Sequence, residues 1–377
     1  MNFGQGLRGL VIHLSGNSAM PNNEVLEGLW QLGHDYPTLW RRIDEYRHAH
    51  SGAWPGHVFL PMRGAAAILM GLLSEETRCM QPDQVSALMR KLTQEGLRAD
   101  TVTIALLSAW RPAQLICRYD EALYDALIRT PVTGDIPADV LQRLPAWSVY
   151  LDTPGIGSVP AYDGSGPTEV FGALVTSSVS FNGKPSLIVM LNAHGATDTV
   201  EVELGGTIEE SLAKAVYVRM DEDRHVAQLA KETSAEVTGK SQCLSRVLSL
   251  LLYLCVDEPD VDDAGRQYTL GRYPAAKHTK KGWRIFPPDK PTVVQVGAAT
   301  GARLRAAHAL RPTSGAKASP RSHIRQAHWH TYLVGPGRAE RKLRWLHPML
   351  VNAAEAVGQG PRALELVDEL CLVPNGD

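Results

Sequence analysis

Four histidines near the C-terminal end of the chain, His323, His328, His330 and His347, are the residues whose type and spacing best suit chemistry. Imidazoles held together ligate zinc or pass protons at a phosphoester. Two residues apart in an extended segment, His328 and His330 share a face, as a metal pair requires. The surroundings argue for another use. Glu340 is the one carboxylate between Ser319 and Asn352, and no cysteine lies there. Histidines on a basic surface commonly donate hydrogen bonds to a partner or stack on it. Elsewhere the chain carries no HExxH pair, no GxSxG elbow and no Walker loop.

The same stretch is rich in cations interleaved with aromatics. Arg321, Arg325, Arg338, Arg341, Lys342 and Arg344 surround Trp329, Tyr332 and Trp345. Such a mixture contacts phosphates and stacks bases. It equally suits an acidic peptide. The element that must position these groups is a β-hairpin: two alternating runs flank a Gly335-Pro336-Gly337 turn. Alternation puts Trp329 and Leu333 on one face, and His328, His330 and Tyr332 on the other. On the returning strand, Leu343 and Trp345 alternate with Lys342 and Arg344. Pairing like with like buries Trp329, Leu333, Leu343 and Trp345. The candidate partner-binding set is therefore Arg321, Arg325, His328, His330, Tyr332, Lys342 and Arg344, with no catalytic residue, metal ligand or cofactor assigned.

At 377 residues the chain can bury a sizeable core in one elaborated domain or two lobes. Hydrophobic content of 44%, charged content of 21% and a formal net charge of −2 predict an ordinary soluble globular protein rather than a disordered or membrane one. The charge is unevenly spread. From Gly271 to Leu350, sixteen Lys and Arg face only Asp289 and Glu340, a net of +14, so the remainder carries −16. A basic working face on an acidic body suits an anionic partner. The five cysteines are odd in number and lack any CxxC pair, which fits a reducing cytoplasm. No signal peptide is read at the N-terminus, and the apolar run Leu244 to Val256 is short for a membrane span and reads as a buried helix.

Residues 22 to about 145 read mainly as helices, with Trp30, Trp40 and Tyr46 as core candidates. One helix is predicted from Asp83 to near Gly96, with Val85, Leu88, Met89 and Leu92 on its apolar stripe. From Ala146 the period changes to two. Strands are predicted at Trp147 to Leu151, Val170 to Ser178, Ser186 to Leu191 and Thr199 to Leu204, the last at a charged edge. Asn182-Gly183 marks a tight turn. Thr207 and Glu210 form a capping box, and Ala235 to Val256 is a second helix of this region. The acidic cluster Asp257, Glu258, Asp260, Asp262 and Asp263 lacks the spacing of a calcium loop and reads as solvated. Arg272 to Lys290 reads as a mobile basic loop. Pro291 to Val296 and Ala298 to Leu310 form a strand and helix, with Gly297-Ala-Ala-Thr-Gly301 packing the two closely rather than cradling phosphate.

The sequence thus predicts an α+β protein with a helical N-terminal lobe at 1–145 and a lobe at 146–377 built on an antiparallel sheet flanked by helices. The second lobe includes the basic loop near 272–290 and the closing hairpin 326–347.

At this hairpin the chain resembles the second type V-A anti-CRISPR family, inhibitors of the Cas twelve-a effector carried by phages and plasmids. The resemblance rests on Ser319-Pro-Arg-Ser-His-Ile-Arg-Gln-Ala-His-Trp-His-Thr-Tyr, the Gly335-Pro-Gly turn, Leu343-Arg-Trp-Leu-His-Pro and Val351-Asn352. Supporting pieces are Leu144-Pro-Ala-Trp-Ser-Val-Tyr, Phe171-Gly-Ala-Leu and Val296-Gly-Ala-Ala-Thr-Gly-Ala-Arg-Leu-Arg, so it spans about 140 to 352. It implies a cytoplasmic, non-enzymatic protein that evades host defence by recognising the effector's nascent N-terminal polypeptide and lowering its mRNA. The implied partners are the Cas effector polypeptide and a ribosome or mRNA, with no membrane. The residues alone leave open a nucleic-acid-binding regulator carried by a mobile genetic element.

Overall fold

The computed structural model describes residues 23–77, 81, 97–130, 132, 138–160, 166–180, 183–194, 196–205, 234–256, 259–263, 266–267, 273–309, 323–325, 328–338, 340–346 and 349–351. The helices expected from Asp83 and from Thr207 lie outside these residues.

Strands β4 (Pro167–Val179) and β5 (Pro185–Ala193) are apolar at odd and even positions alike. Leu187, Val189 and Leu191 enter one core, while Ile188 and Met190 enter another. A strand buried on both faces needs a layer on each side. Helices α1 (Asn23–Asp35), α2 (Leu39–Ala49), α3 (Met62–Thr77) and α4 (Leu97–Trp110) cover the face carrying Tyr150, Leu174 and Ile188. Helices α5 (Glu121–Ile128), α6 (Ala138–Leu141), α7 (Ser234–Cys255) and α8 (Ala298–Ala309) cover the opposite face. The fold is α+β.

The intervening sheet has nine described strands in the order β6-β5-β4-β2-β1-β11-β7-β8, with β3 (Ser158–Pro160) paired to β4. Its members are β1 (Leu115–Tyr119), β2 (Ser148–Asp152), β6 (Ala196–Glu203), β7 (Val261–Asp263), β8 (Arg266–Gln267) and β11 (Thr292–Val296). β1 runs parallel to β2 and to β11, and the other pairs are antiparallel. The β4–β5 hairpin and the β5–β6 pairing match the expected meander. In β6, Val200 and Val202 are buried, while Glu201 and Glu203 meet Ser186 and Lys184. β6 closes one edge of the described sheet.

Helix α7 owes its position to its composition. Leu244, Val247, Leu248, Leu251 and Leu252 are all buried in the larger core, each stabilising by about 1.5–3 kcal/mol. Ser249 Oγ donates to Leu127 O at 2.9 Å, and Tyr119 donates its hydroxyl proton to Leu250 O at 2.8 Å. Among the described residues no helix is long and apolar enough to cross a membrane. Cys117, Cys243 and Cys255 are buried free thiols, and burial pushes Cys117 up to about 12.

Four expectations need correction. Residues 115–119, placed within a mainly helical region, form a strand in the middle of the sheet. Part of the acidic cluster is strand β7, and Asp260 Oδ2 accepts from Thr300 N at 2.9 Å, capping α8. The supposed mobile loop at 272–290 contains an antiparallel hairpin of β9 (Lys277–Thr279) and β10 (Gly282–Arg284). That hairpin is docked: the Trp283 ring stacks on His48 of α2 at 3.6 Å between centroids. Trp30 is 68% exposed and stacks on His34 instead of entering the core.

Candidate partner-binding surface

The closing hairpin is a separate two-stranded ladder of β13 (His328–Val334) and β14 (Glu340–Leu346). Gly335 at φ +78° and Gly337 at φ +64° turn the chain, and Arg338 N donates to Gly335 O at 3.0 Å. Glycine is suited here because these are left-handed backbone positions. Register pairs Trp329 with Trp345, Thr331 with Leu343, His330 with Arg344 and Tyr332 with Lys342. The apolar positions 329, 333, 343 and 345 fall on one face as expected, although Leu333 sits directly opposite Arg341 and Leu343 opposite Thr331.

Side chains two apart along β13 form an aromatic ladder. The His328 and His330 ring centroids are 6.3 Å apart, and His330 and Tyr332 are 4.5 Å apart, both edge-on. His330 and Tyr332 are exposed and His328 is half-buried. This ladder offers ring faces, imidazole hydrogen-bond groups and a phenol, with the cationic positions 342 and 344 opposite. It can stack on planar groups and donate to acceptors on an extended partner.

Five of the seven candidate residues thus come together on one ladder: His328, His330, Tyr332, Lys342 and Arg344. Arg325 belongs to another two-stranded ladder, β12 (His323–Arg325) with β15 (Met349–Val351), where it pairs with Met349. Arg321 lies outside the described residues. His323 is on β12 opposite Val351, and His347 is outside the described residues. Among the described residues no three His, Cys, Asp or Glu side chains are grouped so as to hold a metal ion.

The buried face is shorter than expected. Trp329 packs against the α7 core, and its Nε1 donates a long 3.4 Å contact to Ser249 Oγ. Leu333 is 54% exposed, contrary to the expectation that it packs inward. Tyr332, Leu333 and Val334, toward the turn end of β13, are exposed large hydrophobic side chains.

A second concave feature joins segments far apart in sequence. Trp40 and Arg41 of α2, Arg111 after α4, and Lys281, Arg284 and Phe286 of the β9–β10 region line a half-open pocket of about 350 Å³. Its floor is the buried ion pair of Arg111 with Asp44. Asp44 Oδ2 also accepts from Ile285 N at 3.0 Å, and Arg111 Nη1 donates to Ile285 O at 3.1 Å. Burial raises the Asp44 carboxyl above its ordinary value against the pull of Arg111, and burial lowers Arg111. Alternation and periodicity carry no signal for this pocket, because its two walls are separated by more than two hundred residues.

The family model described as AcrVA2-like, the anti-CRISPR type V subtype A2 family, matches residues 117–353. That range holds the sheet from within β1 onward, α7 and both C-terminal ladders. A solved structure titled as the crystal structure of AcrVA2 is similar at TM-score 0.58 and 19% identity, covering 89% of this chain and 100% of that chain. At that identity the likeness shows the fold. No curated protein matches. A family match over more than half of the chain, across the elements that build the sheet and the hairpin, places this protein in the anti-CRISPR type V subtype A2 family.

Proposed function

We propose that this protein inhibits type V-A CRISPR immunity by binding the nascent N-terminal polypeptide of the Cas effector, with the β13–β14 face as the contact, and that engagement lowers effector mRNA. The observation that carries the reading is the family match, which includes the whole hairpin. The hairpin's form supports it: an exposed ladder of His330 and Tyr332, with Arg344 and Lys342 opposite in register, suits an extended chain with acidic and aromatic side chains. Binding rather than catalysis fits a surface built from stacking and hydrogen-bonding groups. Its action belongs in the cytoplasm, where effector chains are made.

The test is capture of N-terminal effector peptides by purified protein, with effector protein and mRNA levels followed in cells. Specific capture, together with falling effector mRNA, is expected. Absence of capture with unchanged levels removes the reading. A nucleic-acid-binding regulator is the second reading, favoured by the alternation of cations and aromatics on this ladder. It requires nucleic-acid affinity that drops steeply with salt and weakens in Arg321→Ala, Arg325→Ala and Arg344→Ala variants.

A further inference from the structure

We infer that the pocket between α2 and the β9–β10 hairpin binds the phosphate and base of a nucleotide unit, independently of the β13–β14 surface. The cations divide into two kinds. Arg111 is committed to Asp44, and Arg284 faces Glu45 at 3.5 Å. Arg41 and Lys281 are exposed and, among the described residues, have no ion-pair partner. Two uncommitted cations at one pocket mouth attract a compact anion. Phe286 is 61% exposed and available for stacking, while Trp40 lines the pocket half-buried, with the Arg111 guanidinium 5.3 Å from its ring centroid. A volume of about 350 Å³ fits one nucleotide unit.

The charge continues beyond the pocket. Lys277 and Lys280 are exposed on the same docked hairpin, and no carboxylate interrupts the run from Lys277 to Arg284. A basic track leading into an aromatic-walled pocket is the pattern of single-stranded nucleic-acid binding, in which cations follow the backbone and rings take bases. An acidic peptide would satisfy the cations but has no regular need for the exposed ring. The shared chemistry has two sources, a free mononucleotide or an unpaired nucleotide of an RNA strand.

Fluorescence anisotropy of the full chain with a labelled oligouridylate of about ten nucleotides tests this. Arg41→Glu and Lys281→Glu are each expected to weaken binding about tenfold or more. Arg41→Gln and Lys281→Gln are each expected to reduce the slope of log affinity against log salt by about 0.7. Phe286→Ala is expected to weaken binding with the slope unchanged, separating stacking from charge. Displacement of the RNA by uridine monophosphate assigns the free nucleotide, and failure to displace it assigns the strand. RNA binding that is absent, or indifferent to these variants, overturns the inference. So does binding of polyglutamate without RNA. Effector-peptide capture is measured on the same variants, so failure here leaves the hairpin reading separately tested.

Discussion

Gly301 on α8 lies directly against Asp120, the residue that caps α5: a β-carbon at position 301 would fall 1.8 Å from Asp120 Oδ1. Gly297 is equally confined, at φ +78° and with its notional β-carbon 1.8 Å from Leu123 Cδ2. The Gly297-Ala-Ala-Thr-Gly301 segment is therefore a packing device. Gly301→Ala is expected to displace the Asp120 carboxylate and destabilise by about 1–3 kcal/mol through overpacking. Gly297→Ala adds backbone strain to its clash and should cost more. Urea unfolding midpoints check both, and an unchanged midpoint for Gly301→Ala contradicts the packing account.

Asp120 links acid stability to the same junction. Burial alone would raise its carboxyl, but hydrogen bonds from Arg305 and from Ala122 N, with the Arg305 charge, outweigh this and hold it below the ordinary value of 3.8. Arg305 Nη1 reaches its two oxygens at 2.7 and 2.9 Å. Folding thus favours the ionised form. The contribution is full above the ordinary carboxylate value and fades as pH falls through the lowered one. Asp120→Asn keeps a capping oxygen but removes the charge. Thermal melts between about pH 5 and pH 2 should show a shallower loss for Asp120→Asn than for wild type.

The Asp44–Arg111 pair is buried at both ends. Asp44→Ala strands a guanidinium and Arg111→Ala strands a carboxylate, each expected to cost about 3–5 kcal/mol. Removing both charges together, Asp44→Ala with Arg111→Ala, should cost less than the sum of the single changes. Denaturant melts of the full cycle measure the coupling. Strict additivity would mean that the two charges do not depend on each other.

On the closing hairpin, stability and binding should separate by face. Trp329→Ala removes a β13 side chain packed on the α7 core. It should lower the unfolding free energy, by less than the roughly 3–5 kcal/mol of a fully buried tryptophan. His330→Ala and Tyr332→Ala alter exposed rings and should leave the unfolding free energy within about 0.5 kcal/mol of wild type, while weakening peptide capture. Capture that survives both changes would move the contact elsewhere.

What could be read without coordinates follows from how local each signal is. The β4–β5 hairpin, α7 and the β13–β14 register are declared by contiguous patterns, and each is present. The strand Leu115–Tyr119 was missed because it is five residues long and buried at its first three positions. No alternation marks it, and its partners are β2 and the distant β11. The β9–β10 hairpin was missed for a related reason. Its Pro-, Gly- and Lys-rich composition reads as loop, and its order comes from Trp283 meeting His48 across the fold. The hairpin ladder of the candidate surface was legible by register, whereas the α2 pocket depends on tertiary contact.

The position of β11 between β1 and β7 sets a schedule for synthesis. Strands β1 to β6 leave the ribosome in the order needed to pair along one side, but the other edge of β1 has no partner until residues 292–296 emerge. The half-made sheet therefore carries an open parallel edge through more than one hundred and fifty residues of elongation, and a chaperone or a slow-decoding interval would act most effectively within that window.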